Sequence, residues 1–256
     1  MGFSIRAACV CDIGKIRKNN EDNFLFNKTI LNIDHHSMGS PLTYKSWWHC
    51  SSFFAVFDGM GGEACGEAAS YVAAKCTKIM WARSHRKIPD PIDFLNHLFQ
   101  EVNLAVFRKS EEMHVSRMGS TMAMLWIKGK CACVGNLGDS KVFRLRDGTL
   151  EQLSVDHTDA QELKKWGIDR KPRLTQHLGI DPDEMRIEPY VASFPIKRKD
   201  YYLVCSDGLT DMLSEDEIQR TITDSRNVVD CTEQLLQKAL DNGGKDNITV
   251  IVCKVL

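Results

Sequence analysis

Residues 53–62 read Phe-Phe-Ala-Val-Phe-Asp-Gly-Met-Gly-Gly, an unbroken apolar run that ends on an acid and a glycine-rich turn. Five consecutive apolar residues predict a strand that is buried on both faces of a sheet. Asp58 stands at the end of that strand, where removing a carboxylate from water is costly unless a partner neutralises its charge. The segment therefore predicts a buried sheet with an acid at its mouth.

Strand-like and helix-like segments extend from this run in both directions. Strands are predicted at 3–11, 23–31, 201–206 and 248–255, and a meander of strands across 120–155. Helices are predicted at 68–80, 92–106 and 227–240, with a short one that opens at the capping box Ser214–Glu217. Residues 34–51 predict a loop or decorated hairpin, and 157–190 an irregular segment with a short helix near 160–166. This order of elements favours two sheets covered by helix pairs over a doubly wound parallel sheet.

The overall composition is that of a folded globular protein with little net charge. The chain has 256 residues, of which 43% are apolar and 26% charged, and its formal net charge is −1. We therefore expect one domain across residues 1–256 and no binding to nucleic acid or to a membrane surface. No apolar run approaches the roughly 20 residues that span a bilayer, and the N-terminus lacks the pattern of a secretory signal. We expect a soluble, cytoplasmic protein.

The ten cysteines fall mostly within predicted strands and helices. They form no paired Cys-x-x-Cys units and have no His-x-x-x-His partner, which argues against a structural zinc site. Without a secretion signal, a disulfide framework is not expected either. We predict that most are reduced and packed in the core as small hydrophobic side chains.

Four acidic motifs adjoin the most apolar strands. Besides Asp58, they are Glu21-Asp22 between two strands, Asp207 directly after strand 201–206, and Asp246 just before the last strand. Any one Asp-Gly pair is a common turn. Several carboxylates at buried strand ends, however, repel one another, and a divalent cation removes that repulsion. Because the motifs supply oxygen donors without paired Cys or His, they favour Mg²⁺ or Mn²⁺ over zinc.

Six short motifs follow one another along the chain. They are Arg17-Lys-Asn-Asn-Glu-Asp22, Asp58-Gly-Met-Gly-Gly62, Met118-Gly-Ser-Thr121, Gly138-Asp-Ser-Lys141, Cys205-Ser-Asp-Gly208 and Gly244-Lys-Asp-Asn247. In this order they resemble the motifs of the metal-dependent serine/threonine protein phosphatases of type 2C, the PPM family, in their bacterial form. The resemblance runs from about residue 5 to residue 253.

The resemblance implies both a fold and an activity. The fold is α+β, a four-layer α-β-β-α sandwich of two mainly antiparallel sheets flanked by helix pairs. The activity is hydrolysis of phosphoserine and phosphothreonine in proteins, which opposes a serine/threonine kinase of the same cell. The enzyme is expected to act as a monomer.

The resemblance also implies a two-metal site. Asp58 matches the acid that bridges both ions, and Gly59 matches the residue whose carbonyl oxygen binds one of them. Asp207 and Asp246 match ligands of one ion, while Glu21-Asp22 match acids that hold the other largely through water. A hydroxide shared by the two ions would attack phosphorus in line, without a covalent enzyme intermediate.

Two further positions complete the implied site. Asp139 matches a ligand of a third, weaker metal site that also uses Asp207. Arg17 matches the arginine that binds the substrate phosphate, and its guanidinium group suits two phosphoryl oxygens at once. Arg17 could also be a surface cation in a basic turn, but its spacing to Glu21 favours the phosphate role.

The chain departs from the family pattern in three places. Met60 stands where many eukaryotic members carry a histidine proposed to protonate the leaving group. Here water would supply that proton, or a good leaving group would not need it. Lys141 replaces an arginine, and we expect it to keep a structural ion pair. The segment 157–190 contains the flap that borders the site in the family and is shorter than usual. The specificity of relatives therefore does not transfer.

Two other functions fit parts of the sequence. Cys11 and Arg17 have the Cys-x₅-Arg spacing of cysteine-based tyrosine phosphatases, but the helix that this chemistry needs does not follow them. A catalytically weak or inactive scaffold of the same fold would carry substitutions at the acidic positions, which are intact here.

Isolated histidines and one tryptophan pair receive no catalytic role. The histidines considered are His35, His36, His49 and His157, all in polar loops. Trp47-Trp48 is either a docking surface or packed at an edge, and the sequence leaves both open.

Overall fold

The computed structural model describes residues 3–47, 51–61, 65–84, 90–115 and 117–256. Within these ranges the chain forms twelve strands and six helices. The strands are β1 (Ile5–Asp12), β2 (Asp22–Phe26), β3 (Leu42–Lys45), β4 (Ser52–Gly61), β5 (Met118–Ser120), β6 (Met122–Lys128), β7 (Cys131–Leu137), β8 (Lys141–Arg146), β9 (Thr149–Gln152), β10 (Tyr190–Pro195), β11 (Tyr201–Cys205) and β12 (Ile248–Val255). The helices are α1 (Cys65–Ser84), α2 (Pro91–Met113), α3 (Ala160–Trp166), α4 (Asp207–Thr210), α5 (Glu215–Asp224) and α6 (Val228–Asp241).

The strands form two antiparallel sheets. One sheet has the order β3-β1-β12-β11-β8-β9, and the other has the order β10-β7-β6-β4-β2, with β5 pairing to β4. The central pairs in the first sheet are β1 with β12 and β12 with β11. As a result, the C-terminal end of β11 and the start of β12 lie side by side at one end of the sandwich.

Three apolar layers hold the sheets and helices together. Alternate residues of β4 show how: Phe53 and Phe57 pack with α1 and α2, while Phe54 and Val56 pack between the two sheets. A third layer joins the other sheet to α5 and α6. This is the predicted four-layer α-β-β-α sandwich, and the run at 53–57 is buried on both faces, as its unbroken apolar character predicts.

Most of the predicted elements are present, and the differences are local. Strand β2 ends at Phe26 rather than near residue 31, because Asn27 turns the chain with a left-handed φ of 59°. Strand β10 begins at residue 190, the last residue of the segment predicted to be irregular, and the sequence analysis does not predict it. The capping box is confirmed: the Ser214 hydroxyl accepts from the backbone amide of Glu217, and the Glu217 carboxylate accepts from the backbone amide of Ser214.

Four residues discussed from the sequence, Trp48, His49, Cys50 and Gly62, lie outside the described residues.

The nine described cysteines are all free thiols, and most are buried as predicted. Cys76 is half-buried, and Cys131, the first residue of β7, is exposed. In the described ranges, none of the helices combines the length and apolar character needed to cross a membrane.

Replacing Trp126 tests the packing beneath the helix pair. Its indole is fully buried and contacts the rings of Trp81 and Phe94 edge-on. We expect Trp126→Ala to lower the free energy of unfolding by about 3–5 kcal/mol, measured by urea denaturation. The matched control is Trp166→Ala, whose side chain is 72% exposed and whose loss should change stability by less than about 0.5 kcal/mol. Equal effects of the two variants would contradict this packing.

Candidate active site

A cleft of about 310 Å³ opens where β4, β11 and β12 bring their acidic ends together. Seven of the eight predicted site residues line it: Arg17, Glu21, Asp58, Gly59, Asp139, Asp207 and Asp246. The eighth, Asp22, is fully buried behind them. The structure therefore gathers these residues from five separate parts of the chain around one cleft.

Asp22 and Asp58 are direct cross-strand partners in the β2–β4 pair. The hydroxyls of Ser206 and Thr249 each donate to Oδ2 of Asp22, at 2.7 Å. Its other oxygen, Oδ1, is buried and has no hydrogen-bond partner among the described residues. Burial outweighs the two hydroxyl bonds and raises the pKa of Asp22 to about 7.

The carboxylates around the cleft disfavour one another's charge. Burial raises the pKa of Asp58 well above its usual range, and the negative charges of the neighbouring acids raise it further. Burial and the charge of Asp207 raise the pKa of Asp139 to about 6. Burial, with the charge of Glu67, raises the pKa of Glu21 to about 7. Such a group of acids is stabilised by a bound cation.

Two cationic side chains already lie on these acids. Arg17 donates from Nη2 to Oδ2 of Asp246 at 2.6 Å. Lys171, on the segment 157–190, donates to Asp207 at 2.7 Å and to Asp211 at 2.6 Å. Burial opposes the charge of Lys171, but Asp207 and Asp211 outweigh it and raise the pKa of the ammonium group. In the described part of the chain, no three His, Cys, Asp or Glu side chains are already arranged to hold a metal ion.

Asn247 fastens the loop that carries Arg17 and Glu21. Its side-chain oxygen accepts from the Glu21 amide at 2.8 Å, and its amide group donates to the carbonyls of Ile13 and Asn19. The loop also passes very close to the turn before β12: a Cβ on Gly14 would lie 2.3 Å from the Asp246 carbonyl oxygen. With φ at +79°, Gly14 also has a conformation that favours glycine.

Thr121 fixes the end of β4 from the opposite side. The Thr121 hydroxyl accepts from the Asp58 amide at 3.1 Å, and the Thr121 amide donates to the Asp58 carbonyl at 2.8 Å. That hydroxyl lies 2.6 Å from the hydroxyl of Ser140. The Gly-Ser-Thr and Gly-Asp-Ser motifs thus support the backbone of Asp58 and place Asp139 beside it.

The structure describes the surroundings of two residues that depart from the family pattern. Lys141 forms an ion pair with Asp156, which confirms the expected structural role. Met60 lines the cleft, where its thioether has no proton to give.

Cys11 does not have the surroundings of a tyrosine-phosphatase nucleophile. It is fully buried in β1, where its sulfur accepts from Asn20 Nδ2 at 3.3 Å and lies 3.2 Å from the Thr249 hydroxyl oxygen. Burial, reinforced by the charge of Asp22, raises the pKa of the thiol well above its usual value. The reactive thiolate that this chemistry needs is therefore disfavoured.

Comparison with known proteins decides the family. The family model described as Protein phosphatase 2C matches residues 41–243, well over half of the chain. The chain belongs to the protein phosphatase 2C family. It is a protein-serine/threonine phosphatase and a metal-dependent hydrolase, as predicted.

Similar proteins cover almost the whole phosphatase. The serine/threonine phosphatase stp of Listeria welshimeri is 30% identical over 253 residues, covering 94% of this chain and 92% of its own. Protein phosphatase PhpP of Streptococcus pneumoniae is 28% identical, covering 93% of each chain. The solved catalytic domain of the serine/threonine phosphatase PstP, in complex with two manganese ions, matches with a TM-score of 0.79 at 27% identity over 99% of both chains.

Several supporting residues of the phosphatase were not assigned roles from the sequence. Asn247 and Thr121 were quoted as parts of motifs, yet the bonds that they make span strands far apart in the chain. Ser206 directly follows β11 and Thr249 is the second residue of β12, and hydroxyls at the ends of buried strands could have indicated a partner for a buried acid. Lys171 had no local signal, because its two acidic partners lie 36 and 40 residues away.

Replacing Asn247 tests the anchoring of the Arg17 loop. Asn247→Ala removes three hydrogen bonds to the loop and should lower kcat/KM for a phosphopeptide about 10- to 100-fold, since misplaced active-site groups are costly. The control is Asn242→Ala, which removes one exposed bond to the Met212 carbonyl away from the cleft. Comparable phosphatase activity in the two variants would refute the anchoring role.

Proposed function

We propose that the phosphatase hydrolyses phosphoserine and phosphothreonine esters of proteins with two divalent ions, Mg²⁺ or Mn²⁺, held in the acidic cleft. The observation that carries this proposal is the gathering of five acids around one cleft, Glu21, Asp58, Asp139, Asp207 and Asp246. Burial, and then the repulsion between these carboxylates, raises the pKa of Asp58 and Asp139. The donors are oxygens throughout, which suits these hard ions. The PstP catalytic domain, solved with two manganese ions, supports the same number here.

The residues divide between the two ions by their places around the cleft. Asp58 would be shared by both ions, with the Gly59 carbonyl as a further oxygen donor. Asp207 and Asp246, which meet at the adjacent ends of β11 and β12, would serve one ion. When bound, the two ions would lower the pKa of water to supply a hydroxide nucleophile, and they would neutralise charge on the phosphoryl group.

Glu21 and Asp22 would serve the other ion from the β2 side. The unpartnered Oδ1 of buried Asp22 fits this role, because a buried carboxylate oxygen without a hydrogen bond is costly. Asp139, beside Asp207, would contribute to a third and weaker ion site.

Arg17 would bind the phosphoryl group of the substrate. Its side chain is 49% exposed and is held by a single acid, so it can exchange Asp246 for two phosphoryl oxygens. Ion binding at Asp207 and Asp246 requires Lys171 and Arg17 to release these carboxylates. Since Met60 offers no proton, the leaving serine or threonine oxygen takes its proton from water.

The wider setting follows from this chemistry. The reaction reverses the product of a serine/threonine kinase of the same cell, and bacterial phosphatases are among the relatives. Nine described free cysteines suit a reducing cytoplasm, where we place the enzyme as a monomer. Residues 1–256 would act as one catalytic domain with a short flap at 157–190.

Substitutions in the cleft test the metal assignment. Asp58→Asn should reduce turnover of a phosphothreonine peptide by at least about 10²–10³-fold and weaken Mn²⁺ binding measured by calorimetry. EDTA should abolish wild-type turnover, and Mn²⁺ should restore it. Near-wild-type turnover by Asp58→Asn would refute the metal assignment.

The phosphate role of Arg17 has its own test. Arg17→Ala removes charged hydrogen bonds to the phosphate and should lower kcat/KM about 10- to 100-fold. Arg17→Lys keeps the charge but loses the two-pronged geometry, so it should restore only part of the activity. The control is Lys18→Ala, at the exposed neighbouring cation. If this control costs as much as Arg17→Ala, the loop acts only through its general charge.

Alkylation separates the metal mechanism from a cysteine mechanism. Iodoacetamide should modify exposed Cys131 but not buried Cys11, as read by mass spectrometry. Phosphatase activity should survive the treatment, and Cys131→Ser should behave like the untreated enzyme. Loss of activity together with modification of Cys11 would instead support the thiol nucleophile.

A further inference from the structure

The flap carries a concentrated positive surface on a protein of nearly neutral charge. We define the flap surface as residues 164–173, all ten of which are exposed. Five of these residues are basic (Lys164, Lys165, Arg170, Lys171 and Arg173) and one, Asp169, is acidic, whereas the whole chain has a net charge of −1. A local excess of one charge attracts ligands of the opposite charge.

Part of this charge has no acidic partner in the folded chain. Arg170 is paired with Asp159, and Lys171 with Asp207 and Asp211. Lys164, Lys165 and Arg173 make no ion pair with any of the described residues. Three cations of the flap surface are therefore available to a ligand.

Apolar side chains stand among these cations. Trp166 is 72% exposed and Ile168 is 51% exposed. The Lys165 ammonium lies 5.7 Å from the centroid of the Trp166 ring. Exposed tryptophan and arginine side chains are enriched at protein interfaces.

The flap surface is fastened to the wall of the cleft. Thr158 and Leu174 form a β-bridge at the base of the flap, and Asp159 Oδ1 accepts from the Arg173 amide at 2.7 Å. Pro172 and Leu174 line the same cleft as Asp58. The flap surface therefore lies directly beside the cleft.

We propose that the flap surface binds an acidic segment of the phosphoprotein substrate, with an apolar side chain of that segment seated on Trp166 and Ile168. The acids of the segment pair with Lys164, Lys165 and Arg173, beside the phosphate in the cleft. The preferred substrates are therefore phosphoserine or phosphothreonine sites flanked by Asp or Glu and one large apolar residue. This inference rests on the proposed function of the cleft.

Two matched phosphothreonine peptides test the preference. Both carry a leucine near the phosphothreonine. In one peptide the flanking residues are Asp and Glu, and in the other they are Gln. The wild-type enzyme should hydrolyse the acidic peptide with a kcat/KM about tenfold higher, mainly through KM, since exposed ion pairs are individually weak. Added salt should reduce the ratio. Equal kcat/KM for both peptides, or no hydrolysis of either, would overturn the inference.

Charge-reversal variants test whether the flap surface causes the preference for the acidic peptide. Lys164→Glu with Lys165→Glu should bring the ratio between the two peptides to about one. The control is Lys197→Glu with Arg198→Glu, which changes the charge by the same amount on exposed residues. These two residues precede the N-terminal end of β11, whereas Asp207 follows its C-terminal end. The control should keep the wild-type ratio, and its loss there would show a general charge effect and overturn the inference. Trp166→Ala should raise KM for the acidic peptide, and an unchanged KM would contradict the apolar contact.

A small substrate separates a failure of the proposed function from a failure of the flap proposal. Wild-type hydrolysis of p-nitrophenyl phosphate with Mn²⁺ supports the cleft chemistry without using the flap surface. If that activity is present and the peptides are not distinguished, only the flap inference fails. If it is absent with every divalent ion, the proposed function fails and the inference falls with it.

Discussion

The structure depends on one electrostatic constraint, the gathering of carboxylates at the mouths of buried strands. Asp22 is fully buried, and burial together with neighbouring acids raises the pKa of Asp58. Around these acids the chain places hydroxyl donors on Asp22 and cationic side chains on Asp207 and Asp246. A cluster of like charges is unfavourable in a folded protein unless a function requires it, and here the cluster prepares the cleft for divalent cations.

The sandwich makes this cluster rigid. Strand β4 contributes one face to the helix pair and the other to the facing sheet, so the position of Asp58 is set by packing on both sides. Thr121 holds the Asp58 backbone, and Asn247 ties the Arg17 loop to the start of β12. Active sites built on packed strands keep their geometry better than sites built on loops alone.

The flap contrasts with the rest of the site. Its residues 164–173 are exposed, it contains the short helix α3, and it reaches the cleft through Lys171, Pro172 and Leu174. Loops on a rigid scaffold are where recognition usually varies, because their residues can change without disturbing the core. In our proposal, the strands hold the residues of the chemistry, and the flap selects the substrate.

The sequence by itself determined the layer order of the fold, the buried run at 53–57 and the acids at the strand ends. These features are local, because strand and helix periodicity and an adjoining carboxylate are visible within a few residues. The exact support of those acids was decided only by the tertiary structure. Asn247 contacts Glu21 across 226 residues, and Lys171 contacts Asp207 across 36. Such contacts depend on which strands become neighbours and on how the flap folds back, and no local pattern in the chain encodes either.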